Sequence, residues 1–168
     1  MLISEMSGDN CRSLIARLGF GRLACSFRNQ PYIVPIYFAY EPDRLYGFTT
    51  VGQKVEWMRS NPLVCVEVDE VLSHFHWSSV VIVGHYEELP DTPEYEHARQ
   101  QAQLQLERRS LWWQTAYAAS QVRGGGPHTS DPLFYCIHIK QVTGRRATAD
   151  PVESAVGLSR SVGPARES

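Results

Sequence analysis

No apolar run in this 168-residue chain reaches the length of about 20 residues that a membrane helix needs, and no basic stretch leads into an apolar one at the N-terminus. Neither a spanning helix nor a signal peptide is expected, and a cytoplasmic location is. Charge of one sign is not in excess either: 16 Lys and Arg against 18 Asp and Glu leave a net charge of −2. That balance gives no electrostatic footing for nucleic acid or an anionic membrane surface, so neither is expected as a partner. There is no C-x-x-C pair. The four cysteines, Cys11, Cys25, Cys65 and Cys136, are scattered, which fits reduced, buried thiols better than a disulfide framework or a zinc site. Internal repeats are absent. What is present, 43% hydrophobic and 20% charged residues, is the composition of one globular domain with a sizeable core.

The apolar pattern changes period along the chain. Cys11, Leu14, Ile15 and Leu18 recur at helical spacing, with Ser7 or Asp9 as a cap and Gly19 as a stop. Leu23, Cys25 and Phe27 then alternate as in a strand, and Arg28-Asn29-Gln30-Pro31 reads as a hairpin turn. Residues 32–40 and 44–50 are strand-like around a turn at Glu41-Pro42-Asp43. After a short helix come strands at 63–68 and 78–89, one long helix from Thr92 to about Ser120, a Gly124-Gly125-Gly126-Pro127 loop and a last strand at 133–142. From about Ala149 the chain is small, polar and broken by Pro and Gly, which reads as a disordered tail at 149–168 behind a single domain at 1–148. About six short strands joined mostly by hairpins predict a mainly β (α+β) fold, an antiparallel barrel-like sheet with flanking helices.

Two places carry chemistry. The stretch Phe48-Thr49-Thr50-Val51-Gly52-Gln53-Lys54-Val55-Glu56-Trp57-Met58-Arg59-Ser60-Asn61-Pro62 reads as a strand end, a tight turn, a short helix and a proline stop. Two hydroxyls, free backbone amides and one lysine gather where that helix begins, an arrangement suited to a phosphate or another anion. Such junctions also occur with no ligand. Pro35 lies inside Ile33-Val34-Pro35-Ile36-Tyr37, where a proline cannot donate a ladder bond. It marks either a simple edge strand or a strand with a flat ligand lying alongside.

In order, these segments resemble a family. "Pro-Tyr-Ile-Val-Pro-Ile", "Leu-Tyr-Gly-Phe-Thr-Thr", "Gly-Gln-Lys-Val-Glu-Trp-Met-Arg-Ser-Asn-Pro", "Ser-Ser-Val-Val-Ile-Val-Gly" and a late "Val-Thr-Gly-Arg" are similar to the FMN-binding split β-barrels related to pyridoxamine 5′-phosphate oxidase, most of all the nitroimidazole-resistance-like branch. The resemblance covers roughly residues 11–146. It implies that Val34, Pro35 and Ile36 line the isoalloxazine ring, and that Phe48, Thr49 and Thr50 reach the ribityl chain and phosphate. Lys54 would neutralise the phosphate with Gln53 beside it, and Ser79 would stand near the flavin. A homodimer with cofactor at the interface is implied as well, together with a small-molecule substrate.

This chain also departs from the family pattern. Gln53 stands where full oxidases carry an additional arginine and where the resistance branch often carries histidine. The basic C-terminal constellation that grips the substrate phosphate in full oxidases is here Thr143-Gly144-Arg145-Arg146. Trp112 and Trp113 read as core or dimer packing or, in the case of Trp113, as a lid on the flavin. His74, His76 and His85 read as surface histidines rather than as ligands of a metal or of haem. The functional expectation is an FMN oxidoreductase passing hydride or electrons between a reduced nicotinamide or small organic donor and a small acceptor. The alternative is a non-catalytic flavin- or haem-binding sensor or store, and a deazaflavin could replace FMN.

Overall fold

The computed structural model describes residues 1–109 and 133–149. Helix α1 (Gly8–Leu18) starts where Ser7 accepts the Asn10 amide at 3.3 Å and ends at Gly19, which sits in the left-handed region at φ 64°. The guanidinium of Arg109 donates to the carbonyls of Ala16 and Arg17, two of the acceptors that the helix end leaves open. Strands β2 (Phe20–Phe27) and β3 (Gln30–Tyr37) form a hairpin that turns on Arg28 and Asn29, both at positive φ (49° and 65°), as a two-residue type I′ loop requires. A second tight turn, Pro42-Asp43 with Asp43 at φ 63°, joins β4 (Ala39–Glu41) to β5 (Arg44–Thr49). Helix α2 (Gln53–Ser60), β6 (Leu63–Ser73), β7 (His76–Leu89), a 3₁₀ turn at Pro93–Tyr95, α3 (Glu96–Glu107) and β8 (Leu133–Thr148) complete the order, with β1 (Leu2–Glu5) at the front.

All pairings are antiparallel, in the order β3-β2-β6-β7-β8-β5-β4, with β1 added to the end of β8. The end strands β3 and β4 do not pair with each other, so the fold is an antiparallel split β-barrel with flanking helices. A bulge shapes it. Val83 faces Gln141 while Gly84 faces Ile139, which leaves Lys140 as an extra residue. The inward side of β8 therefore switches from Ile137 and Ile139 to Val142 and Gly144. The main core fills the barrel with Leu23, Leu45, Val66, Val80, Ile82, Tyr135 and Ile137, and α1 plugs it with Leu14 and Ile15. A second cluster lies under α3, where Ala102 and Leu106 cover Tyr46, Leu89, Phe134 and Cys136.

Eight strands replace the expected six. All four residues of β1 are exposed, so no alternation marks that strand in the sequence. The expected strand at 32–40 breaks at Phe38, whose amide donates to the Gly19 carbonyl at 2.9 Å instead of joining the sheet. The helix expected from Thr92 begins with the 3₁₀ turn and becomes α-helical only at Glu96. Its expected reach to Ser120, the glycine loop and all but the first residue of the expected tail at 149–168 lie outside the described residues.

At Gly47, paired with Tyr135, a Cβ would overlap the buried Tyr135 ring. Gly47→Ala is therefore expected to lower stability by about 1–3 kcal/mol through overpacking. The comparison of denaturant midpoints with the parent protein measures the loss, and an unchanged midpoint would contradict this packing.

Candidate functional site: an anion-seeking groove at the start of α2

Strand β5 and helix α2 are joined by Thr50-Val51-Gly52. Gly52 is the N-cap residue at φ −176°, extended backbone that any residue adopts, and it makes no side-chain cap. Its carbonyl accepts the amides of Val55 and Glu56 at 2.9 and 3.1 Å. The amides of Gln53 and Lys54, one turn too early to find an intrahelical acceptor, remain at the positive end of the helix. An open groove of about 220 Å³ lies over them, lined by Tyr32, Val34, Thr49, Thr50, Val51, Gly52, Gln53 and Lys54. Trp57 braces its wall, with ring centroids 5.5 Å from Tyr32 and 5.9 Å from Phe27.

Lys54 is half-buried, and no carboxylate or hydrogen-bond acceptor reaches it among the described residues. Burial holds its pKa below the ordinary 10.5, and the neighbouring Cys25 opposes this only in part. The Cys25 thiol is itself pushed up by burial, so near neutral pH it brings little negative charge. A desolvated cation without a counter-ion is costly to fold around. An anion in the groove would relieve that cost.

Strand β3 supplies the adjoining edge. In a two-residue hairpin the closing pair, here Phe27 with Gln30, is hydrogen-bonded, and bonded pairs then alternate along the strand. Pro31, Ile33 and Pro35 therefore turn their backbone groups away from β2 toward the unpaired edge. Pro35 costs no ladder bond, and Ile33 carries the one amide donor between the two prolines.

The structure gathers Val34, Thr49, Thr50, Gln53 and Lys54 around one groove. Other expected site residues lie elsewhere. Ile36 is in the barrel core, and Phe48 packs on Phe134 at 5.4 Å beneath α3. Pro35 is exposed on the outer sheet face. Ser79 lies on that same face and donates to Glu67 at 2.8 Å, within a network that joins Arg22 to Glu67 and Asp69. Trp113 and Trp112 lie outside the described residues. Tyr32, Val51 and Gly52 line the groove without having been singled out. Tyr32 shares the strand face of Val34, and the other two lie within the quoted stretch, so spacing alone could have found them. His74 falls in the turn between β6 and β7, while His76 opens β7. Among the described residues no three His, Cys, Asp or Glu side chains gather as a metal site, and no helix is long and apolar enough to cross a membrane.

A split barrel with such a groove defines a structural class, and comparison with known proteins narrows it. The family model for pyridoxamine 5′-phosphate oxidase matches residues 7–146, and the chain belongs to that family. It is 39% identical over 152 residues to an uncharacterized protein of Rhizobium meliloti (strain 1021), covering 89% of this chain and 98% of the other. A crystal structure described as a FAD-binding protein from Mesorhizobium loti is 38% identical, with a TM-score of 0.69 over 88% of this chain and 100% of its own. The structure of a candidate 5-nitroimidazole antibiotic resistance protein from Bacteroides thetaiotaomicron shares the fold at 20% identity, with a TM-score of 0.59 over 87% and 89% of the two chains.

The depressed pKa of Lys54 has a sign that can be tested. Between its folded value and 10.5 the unfolded chain binds more protons, so stability of the ligand-free protein rises with pH across that window. Anion affinity moves the opposite way, because the ammonium is lost below the pH at which an ordinary lysine titrates. Titrations with inorganic phosphate from pH 7 upward should show affinity falling with a midpoint below 10.5, and Lys54→Met should remove that fall.

Proposed function

We propose that this protein is an FMN-dependent flavoprotein oxidoreductase whose cofactor phosphate occupies the α2 groove. One observation carries the reading: Lys54 is half-buried, lacks an anionic partner, and shares its groove with the free first-turn amides and the hydroxyls of Thr49 and Thr50. The residues present fit a phosphate. Lys54 would neutralise it, the amides of Gln53 and Lys54 would donate to it, and Thr49 and Thr50 would meet the polar chain leading away from it. Thr49 now donates to the Thr50 carbonyl at 3.2 Å, a local bond it can exchange for one to a ligand.

The free edge of β3 offers carbonyls and the Ile33 amide to the rim of a flat ring, and Tyr32 and Val34 give it an apolar wall. The Mesorhizobium loti protein, 38% identical and described as FAD-binding, supports a flavin as the cofactor. FMN and FAD share the ring, the ribityl chain and the first phosphate, and these are the parts the groove residues address. A bound flavin supplies hydride or electron exchange at its N5 between a reduced nicotinamide or small organic donor and a small acceptor. The protein's own residues bind, orient and exclude water. Gln53 stays neutral at physiological pH and can hydrogen-bond, but it transfers no proton.

A homodimer belongs to the same proposal. The outer sheet face leaves Phe20, Ile33, Tyr37, Leu63, Val81 and Val83 between 36% and 64% exposed. A second copy on that face would cover apolar area and close the open side of the groove.

The test begins with the visible spectrum of purified protein and the chromophore released on denaturation. Flavin absorption with FMN released is the expected result, and FAD released would revise the cofactor while keeping the groove. Colourless protein that also ignores added flavins would overturn the reading. Loss of the charge-assisted contact in Lys54→Ala should cost roughly 1.5–3 kcal/mol of flavin affinity, at least tenfold in Kd, while Lys54→Arg retains most of it.

A further inference from the structure

The opposite mouth of the barrel holds a second cavity, of about 200 Å³, lined by Glu70, Leu72, His76, Trp77, Ser78, Arg146, Ala147 and Thr148. It shares no residue with the α2 groove. Glu70, Ser78, Arg146 and Ser4 lie opposite one another on neighbouring strands, in one row across β6, β7, β8 and β1. From the geometry of this mouth we infer a binding site for a small carboxylate with an apolar body, such as an aromatic acid, held by Arg146.

Three observations carry the assignment. The first is charge. Arg17, Arg22, Arg59, Arg99 and Arg145 have a carboxylate within 4 Å, and the described arginines that lack one, Arg146 apart, line neither cavity. Arg146, next to Arg145 but on the other side of the strand, has none among the described residues. Its Nε donates to the Ser78 hydroxyl at 3.3 Å, which leaves both terminal nitrogens available to an incoming pair of oxygens. Glu70, the one carboxylate in the lining, is neutralised by a bidentate pair with Arg17 at 2.5 and 2.8 Å.

The second observation is the rim. Leu72 is 77% exposed and Phe75 48%, at the tip of the β6–β7 hairpin, and Leu2, opposite Thr148 on β1, is 57% exposed. With Trp77 in the wall, these residues favour a ligand that has an apolar part as well as a charge. The third is size. Pockets that hold drug-sized ligands run from about 300 to 1,000 Å³, so this mouth suits a small acid rather than a nucleotide. The inference is independent of the flavin reading, since the two sites lie at different ends of β6.

Benzoate is the probe. Added to isotope-labelled full-length protein, it should shift the amide resonances of residues 70–78 and 145–148 in a saturable way, with Kd in the range up to about 10 mM. Benzamide, equal in shape but neutral, should not. Arg146→Ala should weaken benzoate at least tenfold and Arg146→Lys by less. Arg145→Ala, which alters the pair with Glu5 on the other face, should leave benzoate affinity unchanged. A native melting profile in each variant separates lost binding from lost fold. Absence of saturable shifts, equal binding of benzamide, or undiminished binding by Arg146→Ala would overturn the site. Inorganic phosphate binding as tightly as benzoate would overturn the apolar half of the assignment.

Discussion

Strand β8 is the constraint on which the rest depends. One of its edges is bonded to β7 from Leu89↔Phe134 to Trp77↔Ala147, and the other edge serves β5 first and β1 afterwards. A sixteen-residue strand bonded on both sides cannot stay flat and enclose a core. The extra residue at Lys140 turns it, and the side chains facing inward change parity at that point. Had the alternation simply continued, Thr143 and Arg145 would point into the core and Gly144 would lie outside. Gly144 is needed inside because α1 passes so close that a Cβ there would come within 2.6 Å of the Cys11 sulfur. The bulge, the glycine and the helix plug are thus one solution to one packing problem.

Because the sheet curls without closing, it leaves two edges and two open mouths, and the two cavities lie at those mouths. Interior positions are largely apolar: no charged side chain is fully buried among the described residues, and the buried hydroxyls belong to tyrosines such as Tyr46 and Tyr135. Several charges on the outer surface are matched in pairs, and such exposed pairs contribute little to stability. Lys54 and Arg146 differ from their paired neighbours. Each is a cation at a cavity with no carboxylate within 4 Å of it among the described residues, and at Lys54 burial opposes the charge outright. Retaining an arrangement that weakens the folded state is what a binding site requires when the compensating charge arrives with the ligand.

Much of this was legible in the sequence. Ser7, Gly19 and the spacing of Cys11, Leu14 and Ile15 fix α1 through local rules of capping and periodicity. The hairpin at Arg28-Asn29 was recognisable despite lacking glycine, because asparagine tolerates positive φ. The stretch around Lys54 announced a helix start with free donors, and the structure opens a groove there. Properties that depend on distant partners were not legible. Strand β1 exists because Leu2–Glu5 completes the edge of β8 some 140 residues away, and its exposed side chains carry no periodic signal. The placement of Ser79 was equally hidden. Its neighbours in sequence say nothing of Glu67, Asp69 and Arg22, which the register of β6 and β2 brings to the same face. Phe48 faces α3 rather than the groove because β5 is buried on both sides, and its alternation alone does not say which side meets a ligand.

Pro35 lies outside the α2 groove and still shapes the edge beside it. Together with Pro31 it removes two of the four amides, at residues 31, 33, 35 and 37, that the alternation of β3 would otherwise turn to its unpaired edge. That edge is thereby protected against pairing with a foreign strand, which would need a regular series of donors. The carbonyls remain, as do the amides of Ile33 and Tyr37, so the edge keeps a mixed and sparse set of hydrogen-bonding groups. A flat heterocycle carries donors and acceptors in a similarly sparse arrangement around its rim, whereas a β-strand carries them at every second residue. The prolines that make β3 a poor neighbour for another strand therefore leave it suited to a planar ligand, and the apolar faces of Tyr32 and Val34 beside that edge work in the same direction.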